Sequence, residues 1–595
     1  MRRVGWEGVL EVKGARERGS KGARGKGSKG LLRAKRRFGD QGELEKDDYF
    51  VLATFSLHFN PVRMQFSTLD LLIFGGSIVL LMVYGQWLAK KGSQDTAQDY
   101  FLAAKSLPWW AVGGSLIASN ISAEQFIGMS GSGFVVGLAI ASYELMAALT
   151  LIIVAKYFLP VFLRNGIYTM PQFLAERFDT RVRTVMAMFW VLLFVFVNIT
   201  SVLYLGGLAL ERTMGIPMWI CVLGLAVYSA TFSITGGLRV VVWTEVIQVV
   251  LLILGGLVVT ILVLNAVGGG FWSGLQALVE KAPEKFDMIL DRSNPQYSNL
   301  PGMTVLLGGM WVANLYYWGN NQYIIQRALG SKNLKEAQHG AIFASYLKVF
   351  LPLIVVIPGI AAFVLGAELT KPDEAYPWVM NNYVATGLKG LVFAGLIAAI
   401  GSSVSSMVNS ASTIFTLDLY KPLVLKDKAD MSDVIAASKR TAEDEHRLVR
   451  VGKWAATISL LVGVIIAPLL GNLEQAFQYI QEYTGFISPG VVAIFLFGMF
   501  WKRTSANAAL VSVIMSIPLS VVFKFVTPAL PFLDRMGLTF LILCAIIIII
   551  SLIENKGDDP NAIELDKGIF KTSTAFNLGA LGVMVLLALV YGLFW

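Results

Sequence analysis

The sequence predicts an all-α membrane protein with about fourteen spanning helices. Three observations carry this. Of 595 residues, 55% are hydrophobic, with a mean hydropathy of +0.63. Only 15% are charged, where soluble domains run at about 25%. Apolar runs of about 20 residues, long enough to cross a bilayer as a helix, follow one another from Leu69 to Trp595 and leave no room for a large soluble domain.

In chain order, the first element is not a helix. Residues 1–63 hold 15 Lys/Arg against 8 Asp/Glu, and their stretch GARERGSKGARGKGSKG is too polar to bury a core. We read 1–63 as a basic, disordered extension and 64–595 as the transmembrane domain. The remainder carries 34 basic against 32 acidic residues, so most of the formal charge of +9 belongs to the extension and no nucleic-acid partner is expected. Spans follow at 69–88, 109–133, 136–160, 184–210, 216–234, 240–266 and 302–325. A second seven lie at 340–366, 387–418, 454–471, 473–500, 505–527, 536–554 and 573–594. Cys221 and Cys544 both fall inside apolar runs, which makes them packing residues and excludes a disulfide framework or a cysteine metal site.

Orientation follows from the loops, because basic loops are retained in the cytoplasm. One alternate set carries 25 Lys/Arg, running from Lys90 and Lys91 through Arg177, Arg181, Arg183 and Arg327 to Lys571, and the opposite set about 8. The basic set is therefore assigned to the cytoplasm, which puts both ends of the membrane domain outside a cell (inner) membrane. The 15 basic residues of 1–63 would then lie on the wrong side. We resolve the conflict by reading 1–63 as an upstream extension from a misassigned start, with Met64 beginning the working protein; the alternative is a flexible tail that is translocated anyway.

Two spans are interrupted. Unpaired backbone is tolerated in a membrane only where it lines a cavity, so interruptions point to a site. The span at 109–133 carries Ser119-Asn120-Ile121-Ser122-Ala123-Glu124-Gln125, then Gly128, Gly131 and Gly133; the span at 302–325 carries Gly308-Gly309 and Asn314 through Gln322. Their separation by five spans fits an inverted 5+5 repeat, about 109–266 and 302–500, that brings both breaks to the midplane. Glu144 and Lys348 are ionisable residues inside apolar runs, each costing about 2.5–3.5 kcal/mol at a helix centre; a buried ion pair or a snorkelling lysine is the structural alternative. Glu245 and Glu211 read as structural. Gly401-Ser402-Ser403-Val404-Ser405-Ser406 adds a hydroxyl cluster, whose bland reading is bonding back to its own helix.

Ser119 through Phe126, Trp311 through Trp318 and Gln478-Tyr479-Ile480-Gln481 together resemble the sodium/solute symporters, and most nearly the bacterial sodium/galactose (glucose) branch. The resemblance covers about residue 67 to Trp595. It implies a LeuT-like 5+5 inverted repeat made of spans two to eleven, with one flanking helix before and three after. It further implies sugar contacts at Gln125, Glu144, Asn314, Lys348 and Gln481, residue types that suit hydroxyls which both donate and accept. Tyr317 would stack on the sugar as an inner gate, with Met129, Tyr143 and Phe477 closing the outer side. The coupling Na⁺ would be held by carbonyls of Ala118, Ile121 and Ala399 and hydroxyls of Ser402 and Ser403, a hard-oxygen set suited to a hard cation. Three positions depart from the galactose-type pattern: Ala147 and Phe194 stand where a Ser and a Tyr would offer hydroxyls, and Glu245 where an Asp is expected.

The function expected is sodium-coupled symport of a monosaccharide into the cell by alternating access, with sugar, Na⁺ and the lipid bilayer as partners. The nearest rival is the same fold carrying myo-inositol, sialic acid, proline or pantothenate, against which Lys348 and the Gln481 motif favour sugar. An enzyme is not expected: the three histidines, His58, His339 and His446, form no HExxH motif. A midplane site of sugar-sized polar groups argues against a channel.

Overall fold

In the computed structural model, residues 66–91, 100–101, 106–425, 442–472, 476–554, 557–566 and 568–595 are described. The extension at 1–63 and the start expected at Met64 lie outside them.

Apolar length makes the helices, and short polar sequences end them. Helix α1, Thr68–Lys91, starts at a reciprocal cap: Ser67 N donates to Asp70 Oδ2 at 3.1 Å and Asp70 N donates to Ser67 Oγ at 3.1 Å. The first interrupted span comprises α2, Trp109–Asn120, and α3, Ser130–Val135. Then come α4 (Leu138–Arg164), α5 (Thr180–Met214), α6 (Met218–Ile234) and α7 (Gly237–Gly268). Gly237 separates α6 from α7 at φ 58°, ψ −164°, backbone that glycine alone adopts freely, and a Cβ there would sit 2.4 Å from Tyr100 O.

The second interrupted span comprises α8, Gly309–Leu315, and α9, Gln322–Leu329. It is followed by α10 (Leu334–Val364), α11 (Leu388–Leu423), α12 (Glu443–Gly471), the bent pair α13 (Phe477–Thr484) and α14 (Ser488–Phe500), and α15 (Ala506–Val526), α16 (Phe532–Glu554) and α17 (Thr574–Leu593). Among the described residues ten helices are long and apolar enough to cross a membrane, or up to eleven if the bent pair is one span. The other three expected spans correspond to the shorter α6 and to the two interrupted runs, whose broken helices do not meet a length criterion by themselves. Cys221 is buried and Cys544 half-buried, and both are free thiols.

The core gathers around the interrupted spans. α2 packs on α10, on the α6–α7 pair and on α11, while α3 packs on α10. Small residues let these backbones approach: a Cβ at Gly359 of α10 would fall 2.0 Å from Ser130 O, and one at Gly113 of α2 would fall 2.5 Å from Gly340 O. The start of the first interrupted run and the end of the second are tied by a bridge, Leu107 N donating to Gly330 O at 3.2 Å and Lys332 N to Leu107 O at 3.1 Å. α1 is fastened to the helix that carries the serine cluster, since Asp70 Oδ1 accepts from Gly387 N at 2.7 Å and Gly390 N at 3.0 Å at the start of α11.

Several cations counted among the loop charges are buried instead. Arg327 is 0% exposed, Arg177 1% and Arg183 7%. Each has internal partners, Arg183 in Asp418 at 2.8 Å, Arg177 in carbonyls such as Gly498 O at 2.8 Å and Arg327 in Glu245 at 3.0 Å. Their sequence positions near span ends conceal this.

Candidate functional site

Each break is made by one extended residue. α2 ends where Ile121 turns to φ −73°, ψ 106°, and the chain resumes through wide helical turns at Glu124–Met129. Gln125 Oε1 accepts from Ser122 N at 3.0 Å, and Ser122 Oγ accepts from Glu124 N at 3.2 Å, so the polar residues of the motif cap the backbone they interrupt. In the second run, wide turns at Tyr316–Asn320 lead to Asn321 at φ −84°, ψ 120°, and α9 begins at Gln322. Such breaks leave carbonyls without intrahelical partners.

Between the breaks lies a cavity of about 40 Å³. Its lining brings together all five expected sugar contacts, Gln125, Glu144, Asn314, Lys348 and Gln481, and three of the four expected gates, Tyr317, Tyr143 and Phe477. The fourth, Met129, is fully buried and does not line it. Tyr143 and Phe477 close one wall edge to face, with ring centroids 5.1 Å apart. Asn120, Glu124, Ala147, Ala313 and Trp318 complete the lining.

Glu144 and Lys348 form a buried ion pair, and both line the cavity. The Lys348 ammonium pairs with Glu144 Oε2 and donates to Asn120 Oδ1, and it lies 5.0 Å from the centroid of the Trp318 ring. Asn120 passes the network on: its Nδ2 donates to Tyr317 OH at 2.9 Å, which also accepts from Tyr323 OH at 2.6 Å. One chain of hydrogen bonds thus joins α4, α10 and both interrupted spans. The departures fall unequally. Ala147 lines the cavity, whereas Phe194 lies outside the lining with its ring edge-on to Tyr323, centroids 5.7 Å apart.

The oxygens expected around the cation lie where α11 meets α2. Ser403 Oγ is 3.3 Å from Ser119 O and 3.5 Å from Ala118 O. Ser402 Oγ is buried without a hydrogen-bond partner, an oxygen free to ligate. Ala118, Ile121 and Ala399 are also buried, with Ile121 forming the break itself and Ala399 one turn before Ser403. These donors, carbonyl and hydroxyl oxygens, fit a hard monovalent cation.

Glu245 belongs to a larger polar cluster than the sequence suggests. Its Oε1 pairs with Arg327 Nη2 at 3.0 Å, both side chains being fully buried, and accepts from Ser119 Oγ at 3.1 Å and from Ser406 Oγ; its Oε2 accepts from Ser115 Oγ. This cluster spans α2, α7, α9 and α11, next to the hydroxyls of Ser402 and Ser403. Arg327 and Tyr323 escape sequence reasoning. A signal exists for Arg327, four residues after Tyr323 on α9 and thus on the same helix face as a residue of the second break.

Comparison with known proteins gives four findings. The profile of the sodium:solute symporter family matches residues 100–516. The sodium/glucose cotransporter of Vibrio parahaemolyticus is 50% identical over 551 residues, covering 89% of this chain and 98% of that protein. The human sodium/myo-inositol cotransporter 2 is 32% identical over 486 residues, covering 75% of this chain and 69% of its own. Among solved structures, the substrate-bound outward-open state of a Na⁺-coupled sialic acid symporter superposes with a TM-score of 0.71 at 23% identity, covering 82% of this chain and 98% of that one. That likeness speaks for the fold, the LeuT-like arrangement that the family resemblance implies.

Proposed function

The chain belongs to the sodium:solute symporter family, and from that premise we propose that it carries a monosaccharide, galactose or glucose, into the cell together with Na⁺ by alternating access. The single observation that carries the substrate class is the cavity between the breaks, where two carboxylic side chains, four amides and an ammonium converge beside an aromatic floor. Gln125, Glu144, Asn314, Lys348 and Gln481 would grip the hydroxyls, and Tyr317 would stack on the apolar face of the ring. The 50% identity to a sodium/glucose cotransporter supports the same choice.

Na⁺ would enter from outside and sit among the carbonyls of Ala118, Ile121 and Ala399 and the hydroxyls of Ser402 and Ser403. Because it touches both the first break and α11, its binding fixes the broken span and orders Gln125, four residues beyond Ile121, for the sugar. Binding energy is thereby shared between ion and sugar. A potential of about 100 mV supplies about 2.3 kcal/mol per charge, and a tenfold Na⁺ gradient about 1.4 kcal/mol more. One ion per sugar then supports accumulation of several hundred-fold. The topology proposed with this is a multi-pass protein of the cell (inner) membrane, fourteen spans with both ends outside, and inverted repeats at about 109–266 and 302–500.

The test is uptake of radiolabelled galactose and glucose by reconstituted protein with and without Na⁺, in wild type and Gln125→Ala. Saturable, Na⁺-dependent uptake that the substitution removes is the expected result. If neither hexose moves but myo-inositol does, the substrate passes to the polyol that the 32%-identical human relative is named for.

A further inference from the structure

Glu124 is the one cavity-lining acid that neither the family pattern nor the proposed transport cycle employs. It is 4% exposed, lines the cavity beside Gln125 and Tyr317, and its Oε1 has no hydrogen-bond partner. A buried carboxylate is ordinarily paired, because taking it out of water costs several kcal/mol. Here the cavity's ammonium is already committed: Lys348 is held by Glu144 and Asn120. No ion pair reaches Glu124 among the described residues.

The neighbouring acceptors are committed as well. Gln125 Oε1 takes the Ser122 N–H at 3.0 Å, leaving that side chain to face the cavity as a donor, and Asn120 Oδ1 takes the Lys348 ammonium. Glu124 is therefore the carboxylate in this cavity that no protein cation neutralises. Ala147, in the same lining, offers no hydroxyl where the galactose-type pattern has one. We infer that Glu124 is a substrate-binding residue, accepting a hydrogen bond from one sugar hydroxyl and supplying a polar contact that Ala147 does not. The inference rests on the monosaccharide reading above. Hydrogen bonds to a charged group are the strong ones, so this acid sets which hydroxyl pattern the site prefers.

The structural alternative is that Glu124 merely sits in the first turn after the break, where the helix dipole favours an acid. Uptake kinetics separate the two. Galactose, glucose and their monodeoxy derivatives, one hydroxyl removed at a time, are measured as substrates or competitors for wild type, Glu124→Gln and Glu124→Leu, together with the half-saturating Na⁺ concentration. The inference expects KM for the parent sugar to rise about tenfold or more in both variants, with the maximal rate and the Na⁺ requirement nearly retained. It further expects one deoxy sugar for which wild type and variants agree, because the hydroxyl that Glu124 receives is already gone. Glu124→Gln keeps the shape of the side chain and serves if Glu124→Leu fails to fold. A penalty of equal size for every analogue, or none for any, overturns the inference while hexose transport stands. Absence of hexose uptake by wild type overturns the monosaccharide reading and this inference with it.

Discussion

At the scale of single residues, the site works by pairing charges that the membrane would otherwise reject. Lys348 and Glu144 lie on different helices and are both nearly fully buried, so each holds the other's charge in place. Replacing Lys348 by Met strands the carboxylate and should cost about 3–5 kcal/mol of stability, whereas the Lys348→Met/Glu144→Leu double variant should recover most of it. Thermal unfolding of the purified protein checks this, and additive losses would contradict the pairing. Ser403 offers a second test. Its hydroxyl faces the carbonyls of Ala118 and Ser119, so Ser403→Ala should raise the half-saturating Na⁺ concentration about tenfold at little cost to folding, and an unchanged Na⁺ curve would remove Ser403 from the ion site. Glu144 and Lys348 are legible in the sequence because each interrupts an apolar run. The Glu245–Arg327 pair is not, because Arg327 lies near the end of a span and reads as one more loop cation until its burial is seen.

At the scale of elements, glycine fixes how closely the broken spans approach their neighbours. A Cβ at Gly359 would fall 2.0 Å from Ser130 O, pressing α10 away from the second half of the first interrupted span. Gly359→Ala should therefore destabilise the fold by about 1–3 kcal/mol, while Gly224→Ala on α6, with open space around it, should be neutral. Comparing the two melting temperatures tests the packing, and equal values would contradict it. The breaks themselves are read from sequence because runs such as Ser119-Asn120-Ile121-Ser122 put backbone-competing side chains inside an apolar span. What those side chains then do is less accessible: that Gln125 caps Ser122 N, or that Phe194 lies off the cavity while Ala147 lines it, depends on rotations within a helix that spacing alone does not specify. Met129, a gate only by the family resemblance, is fully buried and is not part of the cavity lining.

At the scale of the whole molecule, the two interrupted spans, α10 and α11 form one polar seam through an otherwise apolar body. The seam runs from the Lys348–Glu144 pair through Asn120 to Tyr317 and Tyr323, and separately from the serines of α11 to Glu245 and Arg327. Both branches meet at the first break, since Asn120 belongs to one and Ser119 to the other. An ion held as proposed at Ser402 and Ser403 would thus be coupled to the proposed sugar cavity through two adjacent residues of a single broken helix, and this coupling is the central claim. The most direct measurement reconstitutes the purified protein in proteoliposomes and follows labelled hexose under an imposed inward gradient of Na⁺, of K⁺ or of H⁺, each with the membrane potential held at zero. Concentrative uptake under the Na⁺ gradient alone, abolished when Na⁺ is equalised across the membrane, is the result this account predicts. Equal accumulation under K⁺ or H⁺ would contradict it.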